Sequence, residues 1–298
     1  MNPKSLSATA IGYAMLVFIV LLWGTTFVST KVLLRHLAPA DILFYRFAIG
    51  YAALWAIHPC RAKFTTRKNE ALLFAAGASG IVLYFLCENV ALVYTQASNV
   101  GPLVATTPVL TLLLSAWLNR DGSITRATLA GCLAGLAGVI LVFHNGAVAL
   151  EVSPLGDTLA LGAALCWALY CVLLKRITGM GNMIVLTRRV FGYALIAMIP
   201  VLCVTGLRLR PDTLLLPSVA GNLLFLGLGA SALCYALWNA AVARVGVVRS
   251  SYFLYFVPVV TLVAAAIVLG EKITARAMAG TALIIAGVWI AQRGAARP

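Results

Sequence analysis

Of the eight acidic residues in the chain, only Glu88 lies inside a long apolar stretch; the others sit at expected loops and helix ends. A carboxylate surrounded by hydrocarbon is costly, and it earns its place by binding a cationic group or by exchanging a proton. The plainer alternative is a side chain that snorkels to the membrane surface. Next to it, Asn89 carries an amide, and Asn239 carries another in a matching context. Amides within apolar helices bind polar substrates or cross-link neighbouring helices. Trp23, Tyr84, Trp167, Tyr235 and Trp238 present flat amphipathic faces suited to an amino acid or a heterocycle, or else to core packing and interfacial belts. Gly101, Pro102, Pro108 and Pro258 are expected to interrupt helices, as gating hinges or as static kinks.

Catalytic and metal-binding patterns are not found in the sequence. His36, His58 and His144 are far apart, and the seven cysteines form no CxxC pair. The cysteines read as small packing residues in or beside helices. The segment "GEK" at Gly270 to Lys272 lacks the preceding glycine of a phosphate-binding loop, so ATP hydrolysis has no support. No cofactor and no metal is expected, and an enzyme is the weaker reading, since no acid, base and nucleophile converge.

The elements that must position these residues follow from composition. The chain is 62% hydrophobic and 10% charged, with mean hydropathy +1.01. Soluble domains carry about 25% charged residues. Apolar runs such as Ile11 to Phe27 and Leu254 to Leu269 recur along the whole sequence. Crossing a bilayer takes roughly 20 apolar residues in a helix. Continuous runs, rather than short alternating ones, exclude a barrel. The expected fold class is an all-α integral membrane protein of about ten transmembrane helices. The first run stays apolar through Val28, longer than a signal peptide's core, and reads as a retained first helix.

The net charge of +14 reflects topology rather than nucleic acid. If the N-terminus is cytoplasmic, Arg61, Lys63, Arg67, Lys68, Arg120, Arg126, Lys175 and Arg176 share its side, and few basic residues oppose them. That asymmetry follows the positive-inside rule, which puts both termini in the cytoplasm. Arg46 and Arg188 read as snorkelling anchors near opposite faces.

The chain repeats itself. Trp23 and Lys31 match Trp167 and Lys175; "GYA" at Gly50 matches "GYA" at Gly192; Asn89 matches Asn239. "TPVLTL" from Thr107 matches "VPVVTL" from Val257, and "LAGVILV" from Leu136 matches "IAGVWIA" from Ile285. The matches stay in order, which chance does not produce. They define a first repeat over 8–145 and a second over 153–294, each of five helices. An odd helix count makes the second copy enter the membrane from the opposite face. Inverted repeats are a recurrent plan of secondary transporters.

The segments "LLWGTTFVSTKVLL", "ENVALVYTQASNVGPLVATTPVLTLLLS" and "YFLYFVPVVTLVAAAIVLGEKITARAMAGTALIIAGVWIA" resemble paired EamA domains of the drug/metabolite transporter superfamily. The likeness spans nearly the whole chain. One departure is "NRDGSIT" at Asn119 to Thr125, where the second half has "GEKIT". The resemblance implies a permease of the bacterial inner membrane that exports amino acids or other small metabolites. The alternative is a carrier for drugs and toxic compounds. The expected partners are a small-molecule substrate, the lipid bilayer and protons as coupling ion, with no nucleic acid.

Overall fold

The structure, a computed structural model, describes residues 3–60, 65–94, 97–119, 124–143, 153–207, 211–269 and 273–294. In hydrocarbon the backbone can bond only to itself, so long apolar runs become helices. They run in the order α1 (Pro3–Leu33), α2 (Pro39–Ile57), α3 (67–94), α4 (97–119) and α5 (Arg126–Phe143), then α6 (Pro154–Ile177), α7 (Met183–Thr205), α8 (Pro217–Val245), α9 (247–269) and α10 (Ala275–Gly294). Among the described residues, eight helices are long and apolar enough to cross a membrane, and Thr107–Leu118 and Arg126–Val142 are shorter apolar helices. The chain is a multi-pass membrane protein of two inverted five-helix repeats.

Local signals set the helix starts. Pro39 and Pro217 open α2 and α8, where a missing N–H costs nothing. The Asn182 side chain accepts from the Ile184 N–H at 2.8 Å and caps α7. A single residue, Gly246, separates α8 from α9, with φ at 95°, a conformation that favours glycine.

Four helices depart from regular α geometry, and they do so in matching pairs. The third helix of each half contains a π-helical stretch, Ala78–Leu83 in α3 and Phe225–Leu233 in α8. The fourth helix of each half changes geometry just before its proline. In α4 a turn at 105–106 separates Ala97–Val104 from Thr107–Asn119; in α9 a 3-10 stretch, Tyr252–Phe256, precedes Val257–Leu269. Pro108 and Pro258 are each the second residue of the following segment, a position that tolerates proline because its N–H has no intrahelical partner. The break in α4 therefore falls one turn later than a reading of Gly101 and Pro102 places it, and those two lie within Ala97–Val104.

Contacts divide the chain into two compact units, each drawing helices from both halves of the sequence. One comprises Met1–Phe85 and Leu173–Arg244, the other Leu86–Val172 and Val245–Pro298. In the second unit α5 and α10 touch through glycine. A methyl on Gly131 would stand 2.5 Å from the Gly287 carbonyl oxygen, and one on Gly138 would stand 2.6 Å from that of Gly280. Such backbone approach is how membrane helices gain packing when no hydrophobic drive exists between them. The repeat offset that carries Gly131 onto Gly280 also carries Gly138 onto Gly287. The contact is thus reciprocal, as a two-fold axis requires. The pairing descends α10 as it ascends α5, so these equivalent helices run antiparallel, as inversion demands. Tyr255 seals the same seam: its ring lies over Gly135, and its hydroxyl donates to the Cys132 carbonyl at 2.9 Å.

Candidate functional site

Arg46 lies about two turns into α2, where a long stem could carry its charge to the surface. It does not. The residue is 7% exposed, its Nε donates to Ser231 Oγ on α8 at 2.9 Å, and its Cζ stands 4.7 Å from the Phe85 ring centroid and 5.2 Å from that of Phe47. Placing arginine in hydrocarbon costs about 3 kcal/mol on insertion scales. A desolvated cation over an aromatic face regains about 2 kcal/mol, so rings and hydroxyl together offset the cost. The meeting depends on two glycines. A methyl on Gly50, one turn beyond Arg46, would stand 3.1 Å from the Gly227 carbonyl oxygen; one on Gly227, one turn before Ser231, would stand 2.6 Å from Ile49 Cγ2. These glycines let α2 and α8 approach until Arg46 and Ser231 can bond.

Aromatic rings extend the enclosure. Phe47, Phe191 and Tyr235 form a triangle of edge contacts, with centroids 4.9, 5.4 and 5.7 Å apart. Trp23 joins Tyr235 edge-on at 5.9 Å and Trp238 at 5.6 Å. Three of the aromatics singled out from sequence, Trp23, Tyr235 and Trp238, therefore belong to one cluster. The two π stretches anchor it. Irregular turns release carbonyls from the helical ladder. The Gly80 carbonyl in α3 accepts from Tyr235 Oη at 3.3 Å, and the Ala230 carbonyl in α8 accepts from Trp23 Nε1 at 3.0 Å. Gly80 and Ala230 occupy equivalent places in the two repeats. Asn239, one residue beyond Trp238, is 1% exposed, and its Nδ2 donates to Thr187 Oγ1 of α7 at 2.7 Å.

The remaining candidates lie elsewhere. Tyr84 packs edge-on against Phe85 at 4.9 Å in the same unit as Arg46. Glu88 and Asn89 are half-buried on the last segment of α3 and belong to the other unit. So does Trp167, which is buried on α6 with its ring 5.2 Å from that of Tyr170. Pro108 is buried there, and so is Pro258. The side chains of Lys31 and Pro102 lie outside the described residues, as do Asp121 and Glu271 entirely. Arg46, which the sequence suggested only as an anchor, is the residue whose importance was missed. The available signal was a charge two turns inside an apolar helix. Among the described residues, no group of three or more His, Cys, Asp or Glu side chains is placed to hold a metal ion.

Residues 10–144 and 154–292 each match the EamA-like transporter family. The chain belongs to that family. The transporter is 28% identical to an uncharacterized transporter of Archaeoglobus fulgidus, over 94% of this chain and 98% of that one. It is 27% identical to a probable amino-acid metabolite efflux pump of Salmonella typhimurium, over 91% of each chain. It is 29% identical to a probable terminal-alkyne amino-acid exporter of Streptantibioticus cattleyicolor, over 93% of this chain and 92% of that one. A solved crystal structure shares the fold with a TM-score of 0.75 and 23% identity, covering 96% of both chains. Membership implies a small-molecule substrate carried across a membrane.

Proposed function

We propose that this transporter exports amino acids or related carboxylate-bearing metabolites across a bacterial inner membrane by alternating access. The observation that carries the substrate class is Arg46, a desolvated guanidinium set among aromatic rings. Guanidinium matches carboxylate in charge and in planar geometry, and the match strengthens where water is excluded. Trp23, Tyr235 and Trp238, in the same cluster, supply apolar and edge contacts for a side chain. The names of the relatives from Salmonella typhimurium and Streptantibioticus cattleyicolor favour the same class. The antiparallel two-fold pairing of α5 with α10 supports alternating access, because inverted repeats can exchange conformations. Glu88, a half-buried carboxylate on α3, is the residue assigned to exchange of a coupling proton, with binding of a substrate amine as its other role. Both termini lie in the cytoplasm, as the arginine and lysine asymmetry indicates.

Counterflow in liposomes tests the substrate class. Amino acids are compared with their carboxamides, which keep the side chain and amine but lose the anion. Wild-type protein exchanges the acids at least about tenfold faster, the worth of one charge-assisted bond. Arg46→Gln abolishes that preference. Equal exchange of acids and amides by the wild type removes carboxylate recognition. Exchange of cationic aromatic drugs without amino acids favours a drug carrier instead. For orientation, alkaline phosphatase fused after Pro298 stays inactive; an active fusion reverses the topology.

A further inference from the structure

Away from Arg46, in the same unit, α2 and α7 border an open cleft of about 390 Å³ lined by Tyr51, Trp55, Arg188, Arg189, Tyr193 and Ile196. Its charges do not cancel. Arg189 pairs with Glu70, whose carboxylate also accepts from Tyr193 Oη at 2.6 Å and from the Thr65 N–H at 2.8 Å. Arg188 donates to the carbonyl oxygens of His58, at 2.6 Å, and Cys60, and its Cζ stands 5.1 Å from the Trp55 ring. Carbonyls and a ring partner a guanidinium without neutralising it. Among the described residues, two cations and one carboxylate leave the cleft with an excess of one positive charge. Gly192 lets the Tyr51 ring lie close against α7, since a methyl there would stand 3.2 Å from Tyr51 Cε2.

The cleft is not polar throughout. Trp55, Ile57, Ile196 and Ile199 are exposed. Arg188, Gly192, Ile196 and Ile199 follow one stripe of α7, so a basic end passes into an apolar surface. From Arg188 to Ile199 the helix rises about 16 Å, close to the depth of one leaflet of a ~30 Å hydrocarbon core. Tyrosine and tryptophan beside the arginines suit the headgroup level of a membrane.

We propose that this cleft binds an anionic phospholipid, with its phosphate at Arg188 and an acyl chain along Ile196 and Ile199. A phosphate diester carries a negative charge that complements the basic excess of these described residues. Basic pockets between transmembrane helices recognise lipid headgroups in this way. The apolar stripe distinguishes a lipid from free phosphate, which would gain nothing from it. By the orientation proposed above, the lipid belongs to the inner leaflet.

Native mass spectrometry of the full-length protein tests the site, with phosphatidylglycerol offered against phosphatidylcholine of the same acyl chains. Phosphatidylglycerol is retained preferentially, and Arg188→Gln lowers its retention about tenfold, the worth of one charge-assisted contact. Because Arg188 also holds the His58 and Cys60 carbonyls, that variant can lose its fold. Trp55→Ala then decides, since Trp55 is exposed, and it too is expected to lower retention several-fold. Equal retention of the two lipids overturns the proposal. So does unchanged retention by Trp55→Ala. Displacement of phosphatidylglycerol by inorganic phosphate at equal concentration assigns the cleft to a soluble anion instead.

Discussion

Gly138 of α5 and Gly280 of α10 face each other so closely that a methyl on either would stand 2.6 Å from the carbonyl oxygen of the other. No side chain intervenes, so backbone meets backbone. The equivalent pair, Gly131 and Gly287, meets in the same way with the two repeats exchanged. The last helix of each half is therefore packed against its own counterpart, antiparallel, around a local two-fold axis.

This seam has no room for a side chain. Gly138→Leu or Gly287→Leu forces the two helices apart and is expected to cost about 3 kcal/mol, the upper range for overpacking. Thermal unfolding in detergent measures it, with Gly221→Leu as the control, because nothing lies within 4 Å of a methyl at Gly221. An unchanged melting temperature for both seam variants would show that α5 and α10 do not pack as described.

Pro108 and Pro258 are the second residues of Thr107–Asn119 in α4 and Val257–Leu269 in α9, so each marks a place where the helix is already interrupted. Replacing both by alanine restores an N–H to each site and lets the adjoining segments merge into one straighter helix. If bending there accompanies transport, exchange in liposomes slows several-fold while folded protein remains in the membrane. Wild-type exchange rates identify the breaks as static.

Glu88→Gln keeps shape and hydrogen-bonding groups but removes the charge and the titration. If Glu88 exchanges the coupling proton, the variant retains counterflow and loses accumulation driven by a pH gradient. If it binds the substrate amine, counterflow and affinity fall together. Wild-type behaviour in both assays assigns Glu88 to the membrane interface and leaves transport as facilitated diffusion.

Asn239 shows where sequence and structure diverge. Its match with Asn89 was readable as a shared substrate contact or as helix glue, and nothing local separates the two. In the fold, Asn239 donates to Thr187, a residue of another helix. A paired Asn239→Ala and Thr187→Val cycle is expected to show coupling of about 1 kcal/mol in unfolding free energy, within the range of interhelical polar bonds in membranes. Strictly additive costs would show that the two side chains do not share a bond.

The amino-acid sequence by itself determined the helices and the repeat, because both rest on local information. A run of apolar residues must be helical in lipid wherever its neighbours lie, and an ordered series of matches from Trp23 and Trp167 to Gly138 and Gly287 needs no coordinates. The π stretches that contain Gly80 and Ala230 had no signal in that reading, nor did the bonds their carbonyls accept from Tyr235 and Trp23. The tertiary structure alone decided the fate of Arg46. Its stem is long enough to reach the surface, and local reasoning sends it there. Among the groups that hold it inside is Ser231, a hydroxyl brought from α8 by the close approach of Gly50 and Gly227. That partner is distant along the chain. An arginine's position in its own helix is written locally, whereas the groups that stabilise its charge are set by which helices pack together.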